Sequence, residues 1–215
     1  MLQLILKLPK KVPEELKEII TEGGYLYKQV FNCKETAIYW KKLPSKSLIS
    51  IQEKQAKGHK ALKDRLMLMP IINTTGDAVL RPLLGYHSEN PRALKGIDKN
   101  TLPVVFHSHP SVWNTQVIFS EYMSGYVSPF VENYCRENNH DNRCLLIVNN
   151  WAAYPPGIAE YGSNTCVVFL PLNTTSLLQP CDPGLIATIK AYSIQNVMCF
   201  IVSAIDRKGN SEASL

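Results

Sequence analysis

The sequence predicts an α/β fold built around a mixed sheet, in which antiparallel strands come first and parallel strands follow, flanked by helices. Two observations carry this prediction. Stretches rich in aromatic and β-branched residues fill much of the region 25–86, and two unbroken apolar runs lie later, at residues 144–148 and 166–170. Unbroken apolar runs are typical of strands buried on both faces, which is the environment of parallel strands.

The first half of the chain predicts a short helix and then four strands. The helix covers residues 13–20, because Pro13 suits a first helical turn and Gly23-Gly24 suits a helix end. The last two strands bracket a turn at residues 74–77, which is typical of an antiparallel pair. The four predicted strands cover residues 25–33, 36–42, 66–73 and 79–86.

The second half of the chain predicts two helices around the two buried strands. Residues 119–137 repeat large apolar side chains at intervals of three and four, which predicts a helix with a core-facing stripe. The final helix begins at Asp182-Pro183, since Asp is a favoured N-cap and Pro a favoured first residue. It runs through Ile186, Ile189 and Tyr192.

Length and composition indicate one globular domain. The chain has 215 residues, of which 45% are hydrophobic, so it can bury a normal core. We assign residues 1–24 to a helical lead-in, 25–205 to the main domain and 206–215 to a flexible tail. No apolar run approaches the roughly 18 residues that a membrane span needs, so no membrane partner is expected.

The cysteine and histidine spacings do not indicate a metal site. The six cysteines contain no C-x-x-C pair, which favours buried free thiols in a reducing compartment over disulfides or zinc. His107 and His109 could share one side of a strand, but no third ligand is evident, and a surface loop is the expected setting.

Positive charge is concentrated in one segment. Residues 41–65 contain eight Lys or Arg against two acids, although the net charge of the chain is only +5. Such an excess favours a phosphate-facing surface, and a solvated lysine-rich face is the alternative. The candidate nucleic-acid-binding residues are Lys41, Lys42, Lys46, Lys54, Lys57 and Lys60.

A set of motifs over residues 13–205 resembles the catalytic domain of the DDE transposases, in particular the pogo and Tigger group, which also gave rise to jerky-like and centromere-protein-B-like proteins. The motifs include Phe31-Asn32 with Glu35-Thr36, Lys63-Asp64-Arg65-Leu66 and Pro171 with residues 173–180. Further motifs are Trp40 to Ser45, Tyr86 to Lys95 and Thr101-Leu102-Pro103.

The resemblance implies a ribonuclease-H-like fold in which three Asp carboxylates hold two Mg²⁺ or Mn²⁺ ions for attack on a phosphodiester. In this sequence Lys34 stands at the first Asp position, Asn149 at the second and Asp182 at the third. Asp182 is the one retained acid, so we expect no metal cofactor here. Its role as a helix cap is a sufficient structural explanation.

The neighbours of Lys34 and Asn149 do not restore the lost charge. Successive side chains on a strand point to opposite faces, so Glu35 is expected to face away if Lys34 faces the site. A one-residue bulge would reverse that expectation. Asn150 is neutral, and residues 152–155 lack the Gly and His that the family has in this turn.

The sequence therefore predicts a nuclear, transposase-derived domain that binds DNA weakly, with little sequence preference, and does not cleave it. One alternative is residual metal-dependent nuclease activity through Asp182, Glu35 and Asp64. Another is a non-enzymatic domain that binds nuclear proteins, or a decayed element copy without a role.

Overall fold

The computed structural model describes residues 12–39, 64–110, 116–149, 160–161, 164–170 and 181–212. For residues 12–13, 160–161, 181–183, 201 and 204–212 it describes the backbone path alone. Among the described residues, no helix has the length and apolar character needed to cross a membrane.

Four α-helices are described, and three of them adjoin wider π-helical turns. A π turn, Met123–Val127, joins α2 to α3, and another, Cys181–Ile186, leads into α4. The helices are α1 Val12–Glu22, α2 Gln116–Tyr122, α3 Ser128–Glu137 and α4 Ala187–Glu212.

Nine described strands form two sheets. One sheet has the order β4-β1-β7-β9-β8 and the other the order β2-β3-β5-β6. The strands are β1 Val30–Cys33, β2 Thr36–Ile38, β3 Leu66–Met69, β4 Ile71–Asn73, β5 Leu83–Tyr86, β6 Val105–Ser108, β7 Cys144–Asn149, β8 Glu160–Tyr161 and β9 Thr165–Leu170.

The two sheets are linked by one antiparallel ladder that keeps its register through an interruption. Cys33 pairs with Ile71 in the first sheet, and Thr36 pairs with Leu68 in the second. Both chain segments therefore advance by three residues between these two pairs. No residue is inserted between them. Continued through the gap, this register sets Lys34 opposite residue 70.

Proline at position 70 explains the interruption. The N–H of Thr74 donates to the carbonyl of Val30 at 2.9 Å, and every second pair along an antiparallel ladder exchanges such bonds. Lys34 and Pro70 belong to that bonded series, but proline has no N–H to donate. The strand predicted over residues 66–73 is therefore divided into β3 and β4.

The parallel part of the sheet confirms the prediction made from the unbroken apolar runs. β7 lies between β1 and β9 and is parallel to both, with Val30 beside Leu145 and Leu145 beside Cys166. Leu145, Leu146 and Val148 are fully buried. Because these strands run in the same direction, their carboxyl ends meet at one edge of the sheet.

The two faces of the sheet carry different layers. Phe31, Cys33, Met69 and Leu146 pack with α2 and α3 in the larger core, and we call this the covered face. Val30, Leu145 and Ile147 lie on the other face, where a smaller cluster packs against α1. We call it the site face, because Lys34 and Asn149 continue its alternation.

The helix over the covered face contains a feature that the sequence pattern did not predict. A stripe through Tyr122, Tyr126 and Phe130 was expected to be buried, yet Tyr126 is 42% exposed. The π turn widens the helix at that point, so Val127 and Val131 take the buried positions instead. Burial also raises the pKa of the Tyr122 phenol.

A polar network connects the turn at residues 74–77 to α3. The Tyr134 hydroxyl donates to Asp77 Oδ2 at 3.0 Å, and Asn73 Nδ2 donates to Asp77 Oδ1 at 2.7 Å. Hydrogen bonds from Thr75 and Asn73 hold the pKa of Asp77 well below its usual range. Burial, and then the bond to Asp77, raise the pKa of Tyr134 to about 12.

Several predicted boundaries differ from the structure. Residues 27–29 form a 3-10 turn before β1, and the fourth predicted strand begins at Leu83 after an isolated bridge at Val79. α4 continues beyond Tyr192 to Glu212. A helix extends readily once nucleated, and no proline interrupts residues 187–212.

Two further side chains lie in other settings than expected. His107 is in β6 and half-buried, so it is not in a surface loop. Cys199 is exposed on α4, whereas Cys33, Cys135 and Cys144 are buried free thiols as predicted.

Candidate functional site at the carboxyl edge of the sheet

Lys34 directly follows β1 and Asn149 ends β7, so both lie at the same edge of two neighbouring parallel strands. The register of β1 with β7 runs from Val30 beside Leu145 to Cys33 beside Val148. Its next step sets Lys34 beside Asn149, which is the last residue of β7. Adjacent strands lie about 4.8 Å apart, so the two residues form one side-by-side pair.

The surroundings of this pair are polar but sheltered. Lys34 and Asn149 are each half-buried, and Asn32, one alternation before Lys34, is 1% exposed. Asn32 Nδ2 donates to the carbonyl of Ile147 at 3.3 Å, which links β1 to β7 just inside the edge. Asn149 Oδ1 is buried without a hydrogen-bond partner among the described residues.

Glu35 belongs to the opposite face of the sheet. The constant register leaves no bulge, so its side chain follows Phe31 and Cys33 toward the covered face. One carboxylate oxygen, Oε2, is buried there. Glu35 is therefore not positioned to replace an acid beside Asn149.

Asp64 lies far from the pair, on the four-stranded sheet. It precedes β3, and its Oδ1 is 3.7 Å from His87 Nδ1. Six residues separate position 64 from Pro70 along the strand direction, which corresponds to about 20 Å. The structure thus does not bring Asp64 together with Lys34 and Asn149.

Asp182 lies in the π turn that leads into α4. Its side chain is outside the described residues, and its place beside Lys34 stays a prediction. The helix that follows packs near β2, where Lys190, Ser193 and Ile194 line a cavity of about 220 Å³ with Ala37, Ile38 and Tyr39. The turn therefore precedes a helix that approaches the strand following Lys34.

A family model described as DDE superfamily endonuclease matches residues 63–214, well over half of the chain. The chain belongs to this family. Among its relatives, Jerky protein homolog of Homo sapiens is 30% identical over 171 residues, which cover 79% of this chain and 30% of that protein. Tigger transposable element-derived protein 7 of Homo sapiens is 31% identical over 184 residues, covering 82% of this chain and 33% of that protein.

These relatives show membership of the pogo/Tigger group of DDE proteins. The chain spans about a third of the length of the relatives that it matches. The resemblance found in the motifs at residues 31–36, 63–66 and 86–95 is therefore confirmed at the level of family and group.

Solved structures of Mos1 transposase share the fold. The Mos1 mariner paired end complex with Mn gives a TM-score of 0.58 at 11% identity, covering 88% of this chain and 51% of that one. A pre-cleavage Mos1 transpososome gives a TM-score of 0.56 at 11% identity, covering 84% and 46%. The predicted ribonuclease-H-like mixed sheet flanked by helices is confirmed.

In this DDE domain the described part of the edge offers an ammonium group and a neutral amide. Hard divalent cations such as Mg²⁺ prefer anionic oxygen ligands, which neither Lys34 nor Asn149 supplies. Within the residues that the structure describes, no three His, Cys, Asp or Glu side chains are grouped so that they could hold a metal ion. The arrangement suits contact with an anion.

The predicted nucleic-acid-binding lysines, Lys41, Lys42, Lys46, Lys54, Lys57 and Lys60, fall outside the described residues. Their positions relative to the edge stay a prediction.

Sequence reasoning missed the polar neighbour Asn32. Its signal was available, since Asn32 shares the alternation of Lys34 in the motif at residues 31–36.

Proposed function

We propose that this chain is a transposase-derived DDE domain that binds DNA without cleaving it. The observation that carries the proposal is the register that sets Lys34 beside Asn149 at the carboxyl edge. At the two neighbouring positions where the family resemblance implies metal-binding acids, this chain has a cation and a neutral amide.

Electrostatics argue against a two-metal mechanism at this edge. A lysine ammonium about 4 Å from a divalent ion is repelled by roughly 8 kcal/mol at an effective dielectric near 20, before the side chain moves away. Asp182 supplies one carboxylate at most, and Glu35 and Asp64 lie elsewhere. The residues present do not fit a pair of divalent ions, so we derive no cleavage step for this domain.

Affinity for DNA is supported by fold and by charge. Solved structures with this fold include a Mos1 paired-end complex with a left transposon end. The segment 41–65 carries a local excess of positive charge. Contacts between lysines and phosphates are independent of base sequence and weaken as salt rises, because binding releases counterions from the DNA.

The first test measures binding of a labelled duplex of arbitrary sequence by fluorescence anisotropy between 50 and 200 mM salt. We expect the affinity to fall by orders of magnitude over this range if six phosphates are contacted. A variant with Lys41, Lys42, Lys46, Lys54, Lys57 and Lys60 changed to Gln should bind weakly at every salt concentration. Affinity that is unchanged by salt would contradict the proposal.

The second test addresses cleavage. Supercoiled plasmid incubated with the domain and Mn²⁺ should stay intact, and Asp182→Ala should give the same result. Nicking by the natural domain that Asp182→Ala abolishes would instead establish the residual nuclease that Asp182 could support.

A second candidate function is a non-enzymatic protein-interaction domain. The observation in its favour is the exposed apolar surface of α4, where Phe200 is 76% exposed, Tyr192 61% and Val202 51%. Pull-down from nuclear extract, with and without nuclease treatment, separates the two functions. Partners that persist after nuclease treatment support protein interaction, and partners lost with the DNA support nucleic-acid binding.

We also propose that the domain acts in the nucleus, where DNA is its partner. Imaging of the tagged chain tests this point directly. Exclusion from the nucleus would count against DNA as the physiological ligand.

A further inference from the structure

A cleft of about 730 Å³ opens on the four-stranded sheet, away from Lys34 and Asn149. Its wall contains the apolar side chains Leu66 and Leu84 and the ring of Phe106 from three neighbouring strands. This volume falls in the range of natural ligand sites, roughly 300–1,000 Å³. The sequence motifs at residues 63–66 and 86–95 both contribute to the cleft, yet the edge site uses neither.

The cleft lies on the site face. Thr36 pairs with Leu68, Leu68 with Leu84 and Leu84 with Phe106, so these residues form one row across the sheet. Thr36 shares its alternation with Lys34 along the uninterrupted register. Phe106 lies two residues along the ladder and three strand spacings across the sheet from Lys34. These two displacements correspond to a separation of roughly 15 Å.

Polar groups are placed at defined points of this apolar cleft. The Asp64 carboxylate is 20% exposed and lies near His87 Nδ1 at 3.7 Å and the Tyr86 hydroxyl at 3.4 Å. The imidazole of His87 lies against the Tyr86 ring, with centroids 4.1 Å apart. Arg92 lines the cleft from an exposed 3-10 turn.

These groups match the face of a base, the edge of a base and a phosphate. The Lys99 ammonium lies over the Phe106 ring, 5.3 Å from its centroid, and a base that stacks on this ring takes the place of that contact and displaces water from the leucines. The Asp64 carboxylate can accept a hydrogen bond from an amino group on the base edge. The guanidinium of Arg92 can pair with a phosphate, which an apolar peptide does not offer. Bases inside a duplex are stacked and paired, so only an unpaired nucleotide presents its face and edge together.

We infer that this cleft binds an unpaired nucleotide of a DNA strand whose backbone contacts the site face. The inference rests on the proposed DNA-binding function and adds a preference for single-stranded DNA. Cytosine and adenine carry an amino group that Asp64 can recognise, whereas thymine does not. The domain should therefore bind oligo-dC and oligo-dA more tightly than oligo-dT.

The experiment compares three labelled probes by anisotropy at one salt concentration: oligo-dC, oligo-dT and a duplex of the same length. We expect Phe106→Ala to weaken binding of oligo-dC by about 5- to 150-fold, the usual effect of losing one base stack. Duplex binding should change little. The matched control is Tyr126→Ala, because Tyr126 is an aromatic residue exposed at 42% on the helix of the covered face.

Two variants of polar residues in the cleft keep the test independent of any packing defect at Phe106. Arg92→Gln should weaken binding of both oligonucleotides, since each carries the phosphate. Asp64→Asn should reduce the preference for oligo-dC over oligo-dT. Circular dichroism of each variant confirms that it is folded.

The outcomes separate the inference from the proposed function. If the chain binds the duplex but Phe106→Ala and Arg92→Gln leave the affinity for the oligonucleotides unchanged, the cleft inference is overturned. The proposed function stays intact in that case. Absence of binding to every probe overturns both. If Phe106→Ala instead abolishes binding of an acidic amphipathic peptide and spares oligo-dC, the cleft belongs to a protein partner and the inference is wrong.

Discussion

The two faces of the sheet differ in what their side chains do. The covered face combines Phe31, Met69 and Leu146 with the helix pair α2 and α3 in one apolar core. The site face carries Asn32, Lys34 and Asn149 at one edge and a mostly apolar cleft at the other end. Because alternate residues of the same strands serve both faces, the scaffold and the chemistry of this DDE domain can change independently.

The largest expected effect comes from the covered face. Phe119 is 1% exposed within the large core, and Phe119→Ala should lower the free energy of unfolding by about 3–5 kcal/mol. Urea denaturation followed by circular dichroism measures this change. On the same helix Val117 is 64% exposed, so Val117→Ala should stay within about 0.5 kcal/mol of the natural chain. Equal losses in both variants would show that the helix does not pack as described.

The next largest effect is expected on the site face, when acids are placed at the two edge positions. Lys34→Asp combined with Asn149→Asp should create a Mn²⁺ site with Asp182. At a free Mn²⁺ concentration of 100 times Kd, the unfolding free energy should rise by about 2.7 kcal/mol. Calorimetric titration and thermal unfolding with Mn²⁺ measure the binding and the stabilisation.

The matched control for that pair is Lys34→Gln combined with Asn149→Gln, which removes the ammonium without adding acids. It should give no stabilisation by Mn²⁺. If the double Asp variant also ignores Mn²⁺, Asp182 does not lie with the other two positions, and the assignment of the edge as an ancestral metal site is wrong.

A smaller effect is expected from replacing two glycines by alanine, one near each helical layer. Gly24 follows α1 with a φ of +62°, a conformation that side chains disfavour, so Gly24→Ala should destabilise by about 1 kcal/mol. A Cβ at Gly125, in the π turn over the covered face, would meet nothing within 4 Å. Gly125→Ala should therefore be neutral or slightly stabilising in the same urea assay. A loss at Gly125 as large as at Gly24 would contradict the helical backbone there.

The smallest expected effect is the pH dependence of the network around Asp77. Its pKa is lowered in the folded chain, so the ionised carboxylate adds stability above pH 4, which is lost as the pH falls below about 4. The urea midpoint of Asp77→Asn should differ from that of the natural chain at pH 6, and the difference should narrow progressively as the pH falls below 4. Glu132→Gln, at an exposed position on α3, should show no such convergence.

Tyr134 gives the alkaline counterpart of this prediction. Its pKa is raised to about 12, so the neutral phenol adds stability below pH 10 that disappears between pH 10 and 12. Tyr134→Phe should flatten the loss of stability in that window.

The sequence predicted the central strands well and local irregularities poorly. Residues 144–148 and 166–170 are continuously apolar because both of their faces are buried, and that pattern is sufficient to locate β7 and β9. The π turn at Met123–Val127 was missed because its sequence also fits an ordinary helical period. Tertiary packing, which favours Val127 over Tyr126 in the core, decided the outcome.

The candidate site was predicted in part. Alternation continued past β1 was enough to assign Lys34 and Glu35 to opposite faces, because the register shows no bulge between β1 and β2. The distance between Lys34 and Asp64 could not be predicted, because it depends on which strands pair. Nor could the cleft be predicted, because its walls come from strands brought together by pairing.

The uninterrupted register around Pro70 has an evolutionary consequence. An insertion or deletion would shift one strand against its neighbour and disturb both faces of the sheet. From Val30 to Ile38 the chain instead keeps one constant register with its antiparallel partner. Replacement of side chains at Lys34 and Asn149 leaves that path intact. Point substitution at these two positions can therefore change what the edge binds without shifting the strands against each other.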